Sequence, residues 1–317
     1  MRKYVLMFAA LLSFGLVSAQ TSNEIVTKYN DGAAAVQAKD FSKAVTLLEQ
    51  VVLDGMDSED NNVLNCVQNA KKYIPVCYQR IGLAAASQKD FDKAIEMLSK
   101  SAEKAELYGD KQAMNKSNVI LAKVYLAQGG EAFNNKDYAT AAEVFAKGYA
   151  ANPRNTEMAL NLAMSYCESG EYEKGMDVYR NICNMPADKY AEAIAKAKEN
   201  MALYTNNEVA KMQAAGDNDG IIAMADNMLA SDPASALAEK IRIQAYNNKK
   251  DYAKVIELGE TAAAAQTEDD DRSDVYFILG AAYNAKEMKD QAVATLKKVT
   301  SGNSVEAAKK ALADLTK

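Results

Sequence analysis

Apolar residues recur at helical spacing along almost the whole chain beyond residue 20. At the C-terminal end, for example, Val305, Ala308, Ala311, Leu312 and Leu315 fall on one side of a helix with 3.6 residues per turn. Pro occurs only 4 times in 317 residues, so the helical pattern is seldom interrupted. The pattern therefore predicts an all-α protein and disfavours a β-sandwich, which would need many turns.

Short segments of one pattern separate successive apolar stretches. Each contains an acidic residue, an aromatic residue, two spacers and a small or β-branched residue. They lie at residues 39–44, 89–94, 136–141, 170–175 and 250–255. The acid is expected at the start of a helix, where free backbone N–H groups favour negative charge. Because the aromatic ring would fill the turn and the small residue would let two helices approach, each segment predicts a helical hairpin.

Other residues around these turns fall at fixed offsets. The repeat near the C-terminus carries Tyr276, Leu279, Gly280, Tyr283, Ala292, Leu296 and Val299, and the third repeat carries Tyr125, Gly129, Ala132, Tyr138, Ala141, Phe145 and Pro153. This arrangement resembles the 34-residue pattern of the tetratricopeptide repeat (TPR) family over about residues 22–317. The resemblance implies a right-handed α-solenoid of about seven TPR-like helical hairpins with a C-terminal capping helix.

Repeat boundaries follow from the turn segments and their spacing. The repeats are expected near residues 25–58, 75–108, 122–155, 156–189, 202–235, 236–269 and 273–303, with the cap at 304–316, all in one domain at 20–317. Three steps between repeats exceed the family's period by about twelve to sixteen residues. The extra residues, at 60–74, 110–121 and 188–201, predict N-terminal extensions of three first helices. Pro75 is expected to kink the first extended helix, because it lacks a backbone N–H and crowds the preceding turn.

The N-terminus has the pattern of a secretory signal peptide. Arg2 and Lys3 precede an apolar run at 4–17, and the small residues Ser18 and Ala19 follow its last residue, Val17. This pattern predicts a signal peptide at 1–19 with cleavage after Ala19, although a retained membrane anchor is the alternative. The run is short for a span, so we expect no membrane span in the mature chain and a periplasmic or secreted protein.

The amino-acid composition argues against several kinds of catalytic and binding site. The chain contains no His, which removes His-based acid–base catalysis and most zinc sites. Its net charge is −6, and loss of Arg2 and Lys3 would make it about −8, so nucleic acid is not an expected partner. The acidic run at 268–271 is expected to be a solvated loop before a helix capped by Ser273, rather than a calcium site. We therefore expect neither a cofactor nor a metal.

Four cysteines raise the question of disulfides in an exported protein. Cys66 and Cys77 are expected on one helix, where a spacing of eleven residues corresponds to about 16 Å, which is beyond disulfide reach. Cys167 and Cys183 are expected near opposite ends of a helical hairpin. All four are therefore predicted to be free, buried thiols.

The resemblance also implies where a partner would bind. In TPR proteins the first helices of successive hairpins line a groove that contacts ligands. That register gives ten candidate contact residues: Tyr29, Gln79, Leu126, Phe133, Leu160, Met164, Lys240, Gln244, Phe277 and Asn284. The middle of this set is apolar, which suits apolar side chains of a peptide or a partner helix. The alternative is that the extended helices cover this face, or that these residues are ordinary packing.

These features favour a non-enzymatic scaffold that is exported to the cell envelope and binds a protein or peptide. The alternative from another class is an assembly or structural subunit of a cell-envelope complex. A hydrolase or a carbohydrate-binding protein is the least favoured, since the lack of Trp removes the best side chain for sugar stacking.

The signal-peptide prediction is tested by sequencing the N-terminus of the protein recovered from the cell envelope or the medium. Because signal peptidase requires small residues at the last and third-from-last positions, we expect the chain to begin at Gln20. Recovery of chains that still begin at Met1 in a membrane fraction would instead support the retained anchor.

Overall fold

The computed structural model describes residues 21–317, so the predicted signal peptide at 1–19 lies outside the described residues. Residues 21–317 form fifteen α-helices and no β-strand, which confirms the predicted all-α class. They divide into two compact units, one ending at residue 169 and the other beginning at residue 170.

Seven helices form the first unit and eight form the second. The first unit contains α1 (Ser22–Gln37), α2 (Phe41–Gly55), α3 (Asn61–Ser87), α4 (Phe91–Leu107), α5 (Lys111–Asn134), α6 (Tyr138–Ala151) and α7 (Thr156–Glu168). The second contains α8 (Tyr172–Cys183), α9 (Ala187–Ala214), α10 (Asn218–Ser231), α11 (Ala236–Asn248), α12 (Tyr252–Ala265), α13 (Asp269–Ala285), α14 (Lys289–Leu296) and α15 (Val305–Leu315). Within each unit, helices that follow one another in sequence pack together.

Turns of one conformation join the two helices of a hairpin. Between α1 and α2, Lys39 has a positive φ of 61° and ends the first helix. The N–H of Asp40 then donates to the carbonyl of Ala35 at 2.9 Å, and the N–H of Lys39 donates to Val36 at 3.0 Å, so that two terminal carbonyls are satisfied. The same positive φ occurs at Lys89, Lys136, Lys250, Glu287 and Gly216.

Acidic residues cap the helices that follow these turns, as the sequence predicted. The carboxylate of Asp40 accepts the N–H of Lys43 at 3.1 Å, and the carboxylate of Asp251 accepts that of Lys254 at 3.2 Å. Asp90, Asp137 and Asp217 cap α4, α6 and α10 in the same way. Glu171 precedes α8 without a side-chain capping bond, because its longer side chain does not close the same short ring.

Close approach of paired helices explains the small residues of the repeat. Ala44, Ala94 and Ala141 are fully buried where the second helix of each hairpin meets the first. A Cβ added at Gly129 on α5 would lie only 2.5 Å from the ring of Phe145 on α6. A side chain at residue 129 would therefore separate the two helices, so this glycine serves close packing.

Three first helices are longer than their partners require, as predicted. α3 and α5 begin at Asn61 and Lys111, and each continues as one helix. α3 continues through Pro75 as one helix. The backbone instead departs from helical geometry in α9, at Tyr190 (φ −124°, ψ 20°). The backbone thus bends at a residue that the sequence analysis did not single out.

A buried chain of hydrogen bonds holds α3, α4 and α5 together at Pro75. The hydroxyl of Ser101 donates to the carbonyl of Pro75 at 2.6 Å. The hydroxyls of Ser101 and Ser117 are 2.8 Å apart, and the Nε2 of Gln79 donates to Ser117 at 3.2 Å. Because Ser101 gives its proton to Pro75, Ser117 must donate to Ser101. The chain therefore has one direction and leaves no hydroxyl proton unused.

The C-terminal helix closes the second unit, as predicted. Val305, Ala311, Leu312 and Leu315 of α15 pack on a cluster that contains the buried Leu296 and Val299. This helix removes from water an apolar face that a further repeat would otherwise cover.

The structure corrects the interpretation of the acidic run. α13 already begins at Asp269, so three acidic residues lie in its first turn. Their negative charges interact favourably there with the positive N-terminal end of the helix dipole. Ser273 is not the cap: it is buried inside α13, and its hydroxyl accepts the N–H groups of Thr300 and Ser301, both at 3.2 Å.

The turn conformation predicts opposite effects at two positions. Lys250→Gly should raise the free energy of unfolding by about 1 kcal/mol, because an L-residue is strained at positive φ. Gly216→Ala, at a φ of 73° with open space around the Cβ position, should lower it by about the same amount. Urea titrations followed by circular dichroism measure both. A loss of stability in Lys250→Gly would show that the lysine side chain contributes more than the strain costs.

The buried chain predicts that Ser101→Ala lowers the free energy of unfolding by about 1–3 kcal/mol, because Ser117 and Pro75 lose a buried partner. Ser99→Ala, at an exposed position of the same helix, is the matched control and should change stability by less than about 0.5 kcal/mol. Equal effects of the two substitutions would contradict the assigned role of the chain.

Candidate protein-interaction surface

The first helices of the hairpins lie side by side within each unit. In the first unit α1 packs beside α3, and α3 packs beside α5. In the second unit α11 packs beside α13. The first-helix surface is defined as the solvent-facing sides of α1, α3 and α5 in the first unit and of α11 and α13 in the second. Eight of the ten candidate contact residues were predicted on these helices, and Leu160 and Met164 lie on α7.

The structure moves two candidates of the first unit into its interior packing. Gln79 is only 5% exposed and belongs to the buried hydrogen-bond chain, so it is not accessible to a ligand. Tyr29 is half-buried against the core formed by α1, α2 and α3. Burial raises the pKa of Tyr29, and the nearby Tyr73 and Cys66 add to that shift.

The apolar candidates of the first unit are half-buried. Phe133 packs edge-to-face on Tyr138 of α6, with ring centroids 5.1 Å apart, so it supports the hairpin turn. Leu126 of α5 lines an open cleft. Leu160 and Met164 lie one turn apart on α7, which places them on the same side of that helix.

The candidates of the second unit divide between packing and solvent. Lys240 of α11 binds Asp271 and Asp274 of α13, the latter at 3.2 Å, and so joins two first helices. Burial lowers the pKa of Lys240, but the hydrogen bonds that its ammonium group donates to these carboxylates, together with their negative charges, raise it more. Phe277 packs under the capping helix, whereas Gln244 and Asn284 are exposed.

Three exposed apolar residues of the first-helix surface were missed from the sequence. Tyr73 and Val76 of α3 are each 40% exposed, and Val119 of α5 is 58% exposed. Tyr73 and Val76 are three residues apart and therefore share one side of α3, together with the exposed Arg80. All three apolar residues lie at or next to the helix extensions. The sequence signal that could have identified them is an apolar residue that falls outside the helical pattern of the residues that α3 buries.

Two further exposed apolar residues lie on second helices, and a third, Leu203, lies on α9 and is 53% exposed. Leu53 near the end of α2 is 71% exposed, and Leu107 at the end of α4 is 70% exposed. They belong to the opposite helix of each hairpin, so they offer a separate surface from that of Tyr73 and Val76.

Two open clefts occur where an extended first helix continues past the following junction. The first-unit cleft has a volume of about 500 Å³, lies between α5, the end of α6 and the start of α7, and includes Leu121, Ala122 and Asn118. The second-unit cleft has a volume of about 580 Å³ and lies between the end of α8, α9, the end of α10 and the start of α11. It includes Met201 and Lys198.

Two segments match the tetratricopeptide repeat: residues 76–103, which span most of the α3–α4 hairpin, and residues 132–182. Together with the repeated hairpin turn, these matches show that both segments are tetratricopeptide repeats.

The chain contains tetratricopeptide repeats.

Solved TPR structures are similar to this TPR protein at low sequence identity. The TPR domain of P58(IPK) is 14% identical, with 92% of this chain and 97% of that chain covered and a TM-score of 0.33. The TPR2AB domain of yeast Sti1, solved in complex with pHSP90, is 13% identical over 94% and 100% of the two chains, with a TM-score of 0.33. A tetratricopeptide repeat protein from Parabacteroides merdae is 13% identical over 93% and 98%, with a TM-score of 0.32. No curated protein matches the chain.

The cysteines of this TPR protein are free thiols, as predicted, but they are not equally buried. Cys66, Cys77 and Cys167 are buried, whereas Cys183 is only half-buried and lines the second-unit cleft. Burial raises the pKa of Cys77 to about 11. Burial also raises the pKa of Cys183, and the neighbouring Lys198 offsets part of that shift.

Residues 21–317 contain neither a cluster of metal ligands nor a helix that could cross a membrane. No group of three or more Cys, Asp or Glu side chains is placed to hold a metal ion there. None of the helices α1–α15 combines the length and the apolar character that crossing a bilayer requires.

Differences in burial predict the order of thiol labelling. At pH 8 Cys183 should react first with a disulfide reagent, because it is the more accessible thiol and its pKa is lowered by Lys198 relative to burial alone. Cys77 should react only after unfolding, since it is buried and protonated. The Cys183→Ser variant should lose the fast phase, and a fast phase that persists in this variant would overturn the assignment.

Proposed function

We propose that this TPR protein is a non-enzymatic scaffold that binds a protein or peptide through the first-helix surface of its first unit. The observation that carries the proposal is the exposure of Tyr73, Val76 and Val119 on α3 and α5. Exposed apolar residues grouped on one kind of surface mark interaction sites more often than scattered ones do.

The chemistry of this surface favours an apolar segment of a partner. Covering a side chain such as Val76 removes apolar area from water at about 25 cal/mol per Å². Arg80, on the same side of α3, adds a charged and hydrogen-bonding group at the margin of the apolar residues. A helix or extended segment with apolar side chains, flanked by polar ones, would match this arrangement.

Export to the cell envelope is a further part of the proposal. It is supported by the basic, apolar and small-residue order of positions 1–19, which is typical of a signal peptide. In that compartment the partner would be another exported protein or the exposed part of a membrane protein.

One specific observation favours the alternative function, an assembly or structural subunit of an envelope complex. Leu53 and Leu107 are the most exposed large apolar residues in the described part of the chain, and both lie on second helices. A subunit docked through its second helices would bury these residues and leave the first-helix surface free.

Paired substitutions separate the two functions. The Val76→Glu, Val119→Glu double variant should reduce capture of the cross-linked native partner by 10-fold or more, because a charge enters an apolar contact. The Leu53→Glu, Leu107→Glu double variant is the matched comparison, since it introduces the same two charges at exposed apolar residues of second helices. Cross-linking in the native cell, followed by quantitative mass spectrometry, gives the readout, and circular dichroism verifies the fold.

The pattern of loss decides between the functions. Loss only in the Val76, Val119 variant supports the first-helix scaffold. Loss only in the Leu53, Leu107 variant supports the docked subunit, and unchanged capture in both variants would contradict both proposals.

A further inference from the structure

The two clefts occupy equivalent positions in the repeat array, 80 residues apart. α6 ends at residue 151 and α10 at residue 231, and α7 begins at residue 156 and α11 at residue 236. The intervening turns are alike: Asn152 accepts the N–H of Arg154, and Asp232 accepts the N–H of Ala234, both at 3.2 Å. A local structure of one kind therefore forms the base of each cleft.

The apolar parts of the clefts also correspond. Leu121 and Ala122 of the first-unit cleft stand at the positions of Met201 and Ala202 of the second-unit cleft. These residues come from the extended first helices α5 and α9, which run past the turn between α6 and α7 and between α10 and α11. The extensions at 110–121 and 188–201 therefore supply part of the wall of each cleft.

The polar margin is where the clefts differ. Asn118 of the first-unit cleft corresponds to Lys198 of the second-unit cleft. Within residues 21–317, the Asn118 amide has no hydrogen-bond partner and Lys198 has no ion-pair partner. Both groups are exposed, so each is available to a ligand.

Surrounding groups leave this contrast intact. Arg180 of the second-unit cleft is engaged with Asp177 at 2.5 Å. Asp232 also lines this cleft, and one of its oxygens accepts a backbone N–H of its own turn. The lining therefore holds two cations, Arg180 and Lys198, against one acid. In the first-unit cleft the charges of Lys123 and Glu157 balance, and Asn115, like Asn118, presents an amide.

We propose that the two clefts are equivalent binding sites of different selectivity for extended segments of a protein partner. Each takes one aliphatic side chain against the apolar residues of the extended helix. The first-unit cleft selects a neutral polar residue beside it, because the amide of Asn118 donates and accepts hydrogen bonds as a peptide group does. The second-unit cleft selects an acidic residue beside it, because Lys198 supplies an unpaired positive charge.

This inference rests on the proposed scaffold function and concerns sites that overlap the first-helix surface only in part. The first-unit cleft shares Val119 and Leu126 of α5 with that surface, whereas Tyr73 and Val76 line neither cleft. Substitution of Tyr73 and Val76 therefore tests the first-helix surface without touching a cleft.

The test uses the full mature chain and a phage-displayed library of random 12-residue peptides with no free C-terminus. Wild-type protein should enrich two classes of peptide, an aliphatic residue beside a neutral polar residue and an aliphatic residue beside Asp or Glu. Ala122→Trp fills the first-unit cleft and should remove the first class at least 10-fold. Ala202→Trp fills the second-unit cleft and should remove the second class to the same extent.

Matched controls lie on the same helices. Ala127→Trp on α5 and Ala210→Trp on α9 add the same side chain at exposed positions outside the clefts, and they should leave both classes unchanged. The exchange variants Asn118→Lys and Lys198→Asn change only an exposed side chain, so they should fold normally. Asn118→Lys should shift the first cleft's peptides toward acidic residues, and Lys198→Asn should abolish the acidic preference of the second.

Each outcome bears on the inference. Loss of one class per tryptophan variant, with the expected exchange of acidic preference, supports it. A single class, no enrichment, or enrichment that neither tryptophan variant reduces overturns it. Enrichment that is reduced only by Tyr73→Glu, Val76→Glu would leave the scaffold function in place and remove the clefts as sites.

Discussion

The structure depends on one short turn that is used again and again. A residue at positive φ ends the first helix, and the carboxylate that follows caps the second, so both sets of unpaired helix-end groups are satisfied within a few residues. Because the turn is short, the two helices must pack directly on each other. The buried alanines at 44, 94 and 141 are a consequence, since larger side chains would not fit between helices that the turn holds close.

Extension of the first helices changes what such hairpins can do. The extended helix α5 reaches beyond its hairpin partner, and Ser117 of its extension joins the buried chain of hydrogen bonds between Gln79 and Pro75. Other parts of the extended helices stay accessible, including Tyr73 and Val76 on α3 and the clefts beside α5 and α9. The residues of greatest functional interest are therefore those that the regular repeat does not contain.

Charged and polar side chains stabilise the structure mainly at the boundaries between helices. Lys240 connects α11 to α13, and Ser273 connects α13 to the segment before the capping helix. These bonds hold neighbouring repeats in register, whereas the exposed ion pairs within single helices, such as Lys196 with Glu192, add little to stability. Lys198 lies close to such a pair but has no ion-pair partner in the described residues. It differs from the paired lysines because it lines a cleft.

The sequence by itself determined the hairpins. The turn, the Asp caps and the small residues are local features, and the extra spacing at 60–74 and 110–121 was enough to predict two continuous extended helices. The sequence also indicated the capping helix, because Val305, Leu312 and Leu315 form one apolar side of a helix. In the structure this side covers the apolar face at the end of the last hairpin.

Only the tertiary structure decided which side of each first helix is accessible. Helical periodicity groups residues by face, but it does not say how many neighbours surround a helix. Gln79 was predicted at the surface and is buried because α5 extends far enough to place Ser117 beside it. Phe277 is covered by the cap, while Tyr73, Val76 and Val119 remain in solvent because no neighbouring helix within the unit reaches them. Accessibility depends on packing between residues that are far apart in the chain, and the local sequence pattern does not predict that packing.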